Sequence, residues 1–214
     1  MPFYSEGGSY DHEKHFRKSC LAALIQFAVK GRFKVITQVL DALMLAAQAH
    51  RDQRRKGSGG EPYVNHLIEV ASLLSGVAKV ESIELLQAAI LHDILEDTAT
   101  SAHVIEERFG PLVLSYVKGV TDDKTRTLAE RRAIQVANIA NASEAIKLIK
   151  LADHCSNIAS LPESWKAERL EAYLNWSLAV ATACFDVSPL MATEYKRRFA
   201  GAQILLRENC RKFK

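Results

Sequence analysis

Four ionisable side chains interrupt an otherwise apolar stretch near the middle of the chain. Residues 88–101 read AAILHDILEDTATS, which places His92, Asp93, Glu96 and Asp97 among alanine, isoleucine and leucine. Burying an unpaired carboxylate is costly, so a compensating positive charge is expected beside this segment. His92 and Asp93 can reach one metal ion at the edge of a helix. Glu96 and Asp97 follow one turn later, about 5.4 Å along the axis, where acids can handle a substrate proton.

Two further segments supply ligands of the same kinds. PYVNHLIEV places His66 at the head of an apolar helix, and IKLADHCSNIASL places Asp153 in a second apolar run, with Asn157 four residues later on the same face. Taken alone, a buried aspartate is most often a hydrogen-bond partner between helices. Two imidazoles and two carboxylates together make a mixed nitrogen and oxygen set that suits Mn²⁺, Fe²⁺, Co²⁺ or Zn²⁺.

The elements that must hold these residues are helices. No alternating apolar run of useful length appears, and the five prolines fall at positions 2, 62, 111, 162 and 189, where helices can begin or end. Ser143 and Ser188 are predicted N-caps, and Gly110 is a predicted helix stop. The predicted fold is therefore all-α. The predicted helices span residues 16–30, 34–54, 64–76, 82–96, 101–109, 111–119, 127–138, 143–160, 164–185 and 189–208.

Two polar segments are predicted as the rims of a site in this helical bundle. KGSGGEP, residues 56–62, follows the basic run RDQRRK, and GVTDDKTRT covers residues 119–127. Connecting loops of this kind often carry binding residues on a rigid scaffold. The basic side chains around both segments suit a substrate that carries phosphates.

Composition excludes several classes of protein. The 214 residues favour one domain, and 28 basic against 25 acidic residues give a net charge too balanced to indicate a nucleic-acid binder. No segment reaches the roughly 18 uninterrupted apolar residues of a membrane span. The cysteines at positions 20, 155, 184 and 210 form no CxxC pair, which favours free thiols in a reducing compartment. A cytoplasmic protein without a nucleic-acid or membrane partner is predicted.

Four ordered blocks resemble the hydrolase domain of the RelA/SpoT homologues, within the HD-domain phosphohydrolases. The blocks are RRK…GEPYVNH, LLQAAILHDILEDT, ERFGPLVLSYVKGVTDDKT and IKLADHCSNIASL, and they lie between residues 35 and 185. The length resembles the stand-alone small alarmone hydrolases, including the SpoT-like form found in animals. The resemblance implies a single helical bundle with a metal site in its central pocket. It implies an N-terminal extension with one helix over residues 1–33 and a hydrolase domain over 34–214.

The resemblance also implies a role for each candidate site residue. The matching positions are His66, His92, Asp93 and Asp153 for the metal; Glu96 and Asp97 for catalysis; and Arg55, Lys56, Asn157, Lys124, Arg131 and Arg132 for the substrate. The implied reaction removes a 3′-pyrophosphate from a guanosine tetra- or pentaphosphate. The implied cofactor is Mn²⁺ or another divalent transition metal, and the implied partner is this small nucleotide.

The sequence departs from the family pattern near the expected nucleotide pocket. Leu67 replaces a usual proline, His154 replaces a lysine or arginine, and Ala159 replaces a frequent arginine. These departures keep open another nucleotide substrate, such as an adenosine alarmone or NADPH. Two further alternatives also stay open: a sensing module that binds a nucleotide without hydrolysis, and an RNA-binding helical protein, which only the basic run RDQRRK favours. Tyr173 and Trp176 can border the base, but their helical spacing favours a role in core packing.

Overall fold

The structure is a computed structural model of the chain, and it describes residues 35–57 and 59–212. The chain divides into two compact units, Met1–Leu40 and Asp41–Lys214. Residues 35–40 are the described part of the first unit, and they are helical. The predicted N-terminal extension over residues 1–33, with its predicted helix at 16–30, lies outside the described residues.

The second unit is built from helices, as the sequence predicts. Helix α1 covers residues 41–49. The remaining described helices are α2 (Val64–Gly76), α3 (Ile83–Ile90), α4 (Ile94–Asp97), α5 (Ala102–Val120), α6 (Leu128–Ile139), α7 (Glu144–Ala159), α8 (Ala167–Thr182) and α9 (Pro189–Lys212). Among the described residues, extended backbone pairs at a single isolated bridge between Arg54 and Pro62. No described helix is both long enough and apolar enough to cross a membrane.

Helix α7 lies at the centre of this unit. It packs against α2, α3, α5, α8 and α9. Ten of its sixteen residues are buried, and these include polar side chains such as His154 and Ser156. Because polar groups lose water when buried, each of them needs a partner inside the bundle. The site is therefore assembled around α7.

Local sequence signals set where several helices begin. The hydroxyls of Ser143 and Ser188 accept hydrogen bonds from the backbone N–H groups of Ile146 and Met191, so both predicted N-caps are confirmed. Gly110 has φ 88° and ψ 168° inside α5, a conformation that favours glycine. It breaks the helix ahead of Pro111, which confirms the predicted stop.

Two predicted helices near the site differ from the structure, one by ending early and one by being divided. The helix predicted over 34–54 ends at residue 49, and the chain then forms turns before the bridge of Arg54. The helix predicted as continuous over 82–96 is divided into α3 and α4. The Nδ1 atom of His92 bonds to the carbonyl oxygen of Ala89 at 2.8 Å, the acceptor that the Asp93 N–H would use in a helix. His92 and Asp93 therefore lie in the turn between two helices.

Candidate metal centre and adjoining pocket

The four predicted metal ligands converge although they come from three separate segments. His66 lies on α2, His92 and Asp93 lie in the turn before α4, and Asp153 lies on α7. The Nε2 atom of His66 is 3.2 Å from Asp153 Oδ1, and the Nε2 atom of His92 is 3.0 Å from Asp93 Oδ2. Ligand atoms of His66, His92 and Asp153 all lie within 4.8 Å of one another.

The geometry of the two imidazoles leaves both Nε2 atoms facing the carboxylates. The Nδ1 atom of His92 meets the carbonyl oxygen of Ala89, which only accepts, so this nitrogen carries the hydrogen. The Nδ1 atom of His66 meets the hydroxyl of Ser156 at 2.8 Å. Both Nε2 atoms are buried without a hydrogen-bond partner. Lone pairs that face carboxylate oxygens at about 3 Å require a cation between them, so these residues fit a metal ion.

The electrostatics of the cluster favour the same positive charge. Burial alone would lower the pKa of His92, but the carboxylates of Asp93 and Asp153 raise it well above its ordinary value. Burial would raise the pKa of both carboxyls, yet the two imidazoles hold the pKa of Asp93 and of Asp153 below the ordinary value. The cluster therefore attracts a cation, whether a proton or a metal.

Two neighbouring side chains orient the carboxylates of this cluster. The hydroxyl of Tyr63 donates to Asp93 Oδ2, and the amide of Asn157 donates to Asp153 Oδ1 at 2.6 Å. Tyr63 and Asn157 both line an adjoining pocket of ≈ 340 Å³. Tyr63 and Asn157 therefore lie between the candidate metal centre and this pocket, which adjoin each other.

Glu96 faces the pocket from α4 and has its own partners. It accepts hydrogen bonds from the backbone N–H of Asp122 and from Arg131 Nη1, each at 3.2 Å. Burial and the nearby charge of Asp93 raise the pKa of Glu96 in spite of the hydrogen bond from Asp122. Glu96 therefore loses its proton less readily than an exposed glutamate does.

Asp97 points to a different set of groups. It accepts a hydrogen bond from Gln53 Nε2 at 2.9 Å and pairs with the ammonium group of Lys124. Gln53 is itself held by His50, whose Nδ1 lies 2.6 Å from Gln53 Oε1. The two adjacent acids thus have separate environments, although both line the pocket.

The structure brings most of the predicted substrate residues to one pocket. Arg55, Lys56, Arg131, Arg132 and Asn157 line it, and Lys124 reaches its edge through the pair with Asp97. Arg55 is held firmly, since its guanidinium contacts Glu69 and the backbone oxygen of Ser156 and its side chain is 10% exposed.

Aromatic side chains form one wall of the pocket. Tyr173 and Trp176 line it and are partly exposed, which corrects the favoured assignment of both to the core. The guanidinium of Arg132 lies 4.6 Å from the ring centre of Trp176 and 5.5 Å from that of Tyr173. Because α8 turns these rings toward α6, they hold the cation of Arg132 by cation–π contact.

Comparison with known proteins identifies the family of this chain. Residues 42–178 match the family described as HD domain. The chain belongs to the HD-domain family. The family-level resemblance of the four sequence blocks is therefore confirmed.

Relatives of this HD-domain chain include small proteins of animals. It is 44% identical over 147 residues to the human protein called guanosine-3′,5′-bis(diphosphate) 3′-pyrophosphohydrolase MESH1, covering 67% of this chain and 82% of that protein. The protein of the same name from Drosophila melanogaster is 43% identical over 145 residues, with 66% and 81% covered. A solved structure described as a metazoan ortholog of SpoT that hydrolyzes ppGpp superposes with a TM-score of 0.73 at 37% identity. It covers 77% of this chain and 94% of that one.

Several side chains that orient the site of this HD-domain chain were not predicted from its sequence. Gln53 contacts Asp97, Ser156 contacts His66, and Glu69 contacts Ser156. Ser156 lies beside Asp153, His154 and Asn157, and this polar cluster within an apolar helical segment is the one feature of the sequence that could have identified it. Nothing local to Gln53 or Glu69 identifies their partners, which lie 44 and 87 residues away in sequence.

Proposed function

We propose that this HD-domain protein hydrolyses guanosine 3′,5′-bis(diphosphate), which releases the 3′-pyrophosphate and leaves GDP. The same hydrolysis of the guanosine pentaphosphate leaves GTP. The observation that supports this most strongly is the buried pair of Nε2 atoms on His66 and His92, which face two carboxylates beside a pocket lined with arginines. The relatives named above carry the same reaction in their names.

The proposed metal ligands are His66, His92, Asp93 and Asp153, and the proposed ion is Mn²⁺. The mixed imidazole and carboxylate set suits this ion, which prefers nitrogen and oxygen donors. When bound, such an ion polarises a phosphoryl oxygen and lowers the pKa of a water molecule. Tyr63 and Asn157 contribute by holding the two carboxylates in place.

Glu96 is the proposed acid of the reaction. Its raised pKa allows it to hold a proton near the pocket, and the leaving 3′-oxygen needs that proton as the bond to phosphorus breaks. Asp97, fixed by Gln53 and Lys124, is the proposed acceptor that orients the attacking water. The two acids divide the proton transfers because their surroundings differ.

The basic residues around the pocket are the proposed partners of the substrate phosphates. Arg55 and Lys56 come from the segment before α2, Arg131 and Arg132 come from α6, and all four line the pocket. Fixed cations that face the developing charge stabilise the transition state of phosphoryl transfer. Asn157, which donates to Asp153, is the proposed contact of the ribose.

The test is a panel of nucleotides incubated with the purified chain. ppGpp, pppGpp, ppApp and NADPH are each incubated with and without Mn²⁺, and the released group is identified. We expect pyrophosphate from the guanosine compounds, only when metal is present. Phosphate release from NADPH alone, or preferential cleavage of ppApp, would replace the proposed substrate. Tight binding without any release would instead favour a sensing module.

A further inference from the structure

A chain of hydrogen bonds runs from His66 away from the candidate metal centre. The Nδ1 atom of His66 lies 2.8 Å from the hydroxyl of Ser156, and that hydroxyl lies 2.6 Å from Glu69 Oε2. The other oxygen of Glu69 accepts a hydrogen bond from Arg198 Nη1 at 2.5 Å. Ser156 is fully buried. None of these three partners is among the proposed metal ligands.

The direction of each hydrogen bond in this chain follows from the charge of Glu69. Burial alone would raise the pKa of Glu69, but hydrogen bonds from Ser156 and Arg198 lower it below its ordinary value. An ionised carboxylate only accepts, so the hydroxyl of Ser156 must give its one hydrogen to Glu69. The oxygen of Ser156 can then only accept from His66. The Nδ1 atom of His66 therefore carries the hydrogen, and Nε2 keeps its lone pair.

The two histidines of the cluster differ in which group holds the hydrogen on Nδ1. For His92 the acceptor is the backbone carbonyl of Ala89, which every side-chain substitution leaves in place. For His66 the acceptor is a hydroxyl, which could also donate if its own hydrogen were free. The state of His66 therefore depends on Ser156 and Glu69, whereas that of His92 does not depend on a side chain.

We propose that Ser156 and Glu69 are positioning residues for metal binding, which hold His66 in the orientation and tautomer that leave Nε2 open to the cation. The same two residues hold Arg55, whose guanidinium lies 3.3 Å from Glu69 Oε2 and 3.3 Å from the hydroxyl of Ser156. Ser156 and Glu69 therefore connect the proposed ligand His66 to Arg55, which lines the pocket. The inference rests on the proposed function only in placing a divalent cation beside His66.

The test measures Mn²⁺ affinity of the full chain without any nucleotide, using electron paramagnetic resonance of free Mn²⁺. Ser156→Ala removes the acceptor of His66. Glu69→Gln supplies an amide N–H that can donate to Ser156, which frees the hydroxyl to donate to His66 and favours the wrong tautomer. Both variants are expected to raise the dissociation constant for Mn²⁺ about 10–100-fold, the usual cost of losing a partner behind a metal ligand. Excess Mn²⁺ should restore full metal occupancy in Glu69→Gln.

Glu194→Gln is the matched control. Glu194 pairs with Arg198 and Arg197, so this variant also removes a carboxylate from the network and lowers thermal stability, but Glu194 contacts neither Ser156 nor His66. We expect it to bind Mn²⁺ like the unmodified protein. Unchanged Mn²⁺ affinity in both Ser156→Ala and Glu69→Gln overturns the inference, and so does an equal loss in Glu194→Gln. Because no nucleotide is present, this outcome is independent of which substrate the enzyme cleaves.

Discussion

At the scale of single residues, the two buried imidazoles differ in their contacts from the two adjacent acids. His66 and His92 have no hydrogen-bond partner at Nε2, whereas Glu96 and Asp97 each have two partners outside the cluster. Nitrogens with open lone pairs can bind an ion, whereas Glu96 and Asp97 are already held at the pocket by other groups.

Removing a proposed ligand should remove the metal and the activity together. We expect His92→Ala and Asp153→Ala to lose bound Mn²⁺ and to reduce pyrophosphate release to background, because the remaining side chains leave the coordination incomplete. Metal content and turnover are measured on the same preparations. His103→Ala, at an exposed histidine of α5, serves as the control and should behave like the unmodified protein. Full occupancy and turnover in either ligand variant would refute the assignment.

Changing the proposed acid should separate metal binding from chemistry. Glu96→Gln keeps the size of the side chain and should keep Mn²⁺, since Glu96 is not among the proposed ligands. Its kcat should fall by about 10²–10⁴-fold, the usual contribution of a proton-transfer group. Steady-state kinetics at saturating Mn²⁺ measure this change. A kcat near that of the unmodified protein would remove Glu96 from the mechanism.

At the scale of elements, short segments between helices carry as much of the site as the helices do. The turn between α3 and α4 presents His92 and Asp93, and the segment before α6 contributes Lys124 and the backbone N–H of Asp122. Helix α6 then carries Arg131 and Arg132 to the pocket. Its start is set by a capping box, in which Thr127 and Glu130 each satisfy the other's backbone N–H.

Loss of this cap should destabilise the molecule. Thr127→Ala is expected to lower the free energy of unfolding by about 1 kcal/mol, because the N–H of Glu130 loses its acceptor at the helix start. Urea unfolding measures the difference. Ser75→Ala, at an exposed serine of α2, is the control and should change stability by less than about 0.5 kcal/mol. Equal stability of the two variants would show that the cap contributes nothing.

At the scale of the whole molecule, the proposed ion would join segments that are far apart in sequence. Its ligands come from α2, from the turn before α4 and from α7, and Arg198 ties α9 to the same region through Glu69. A ligand that binds only the folded chain stabilises it by mass action. Metal binding and folding should therefore be linked.

Added Mn²⁺ should raise the Tm of the metal-free protein. At 100 times the dissociation constant the expected stabilisation is about 2.7 kcal/mol, provided that the unfolded chain does not bind the ion. Differential scanning calorimetry across a Mn²⁺ series measures the shift. Asp153→Ala should show no such dependence. A Tm independent of Mn²⁺ in the unmodified protein would contradict the proposed site.

The ion pairs of Glu194 should make stability depend on pH. Hydrogen bonds from Arg197 and Arg198 lower the pKa of Glu194 to about 2. A carboxyl whose pKa is lowered by folding stabilises the protein above its unfolded pKa, and the contribution is lost as the pH falls toward the folded value. Glu194→Gln should therefore be less stable than the unmodified protein at pH 7, and the gap should narrow as the pH falls below about 4 and close near about pH 2. Urea unfolding at several pH values measures the gap, and a constant gap would contradict the prediction.

The sequence by itself determined the helical class, the break at Gly110 and the N-caps at Ser143 and Ser188. These features are local, because apolar periodicity, a positive φ and a capping hydroxyl act within a few residues. The sequence also predicted the types of side chain that a metal site needs. An adjacent histidine and aspartate in an apolar run indicate a buried charge, and a buried charge needs an opposite charge beside it. Their roles stay predictions until metal binding is measured.

Only the tertiary structure decided which side chains orient that site. His66 meets Ser156 across 90 residues of chain, and Ser156 meets Glu69 across 87. It also decided that Asp97 meets Gln53 across 44 residues of chain. Contacts between distant segments depend on how helices pack, and no pattern within one segment specifies its partner in another.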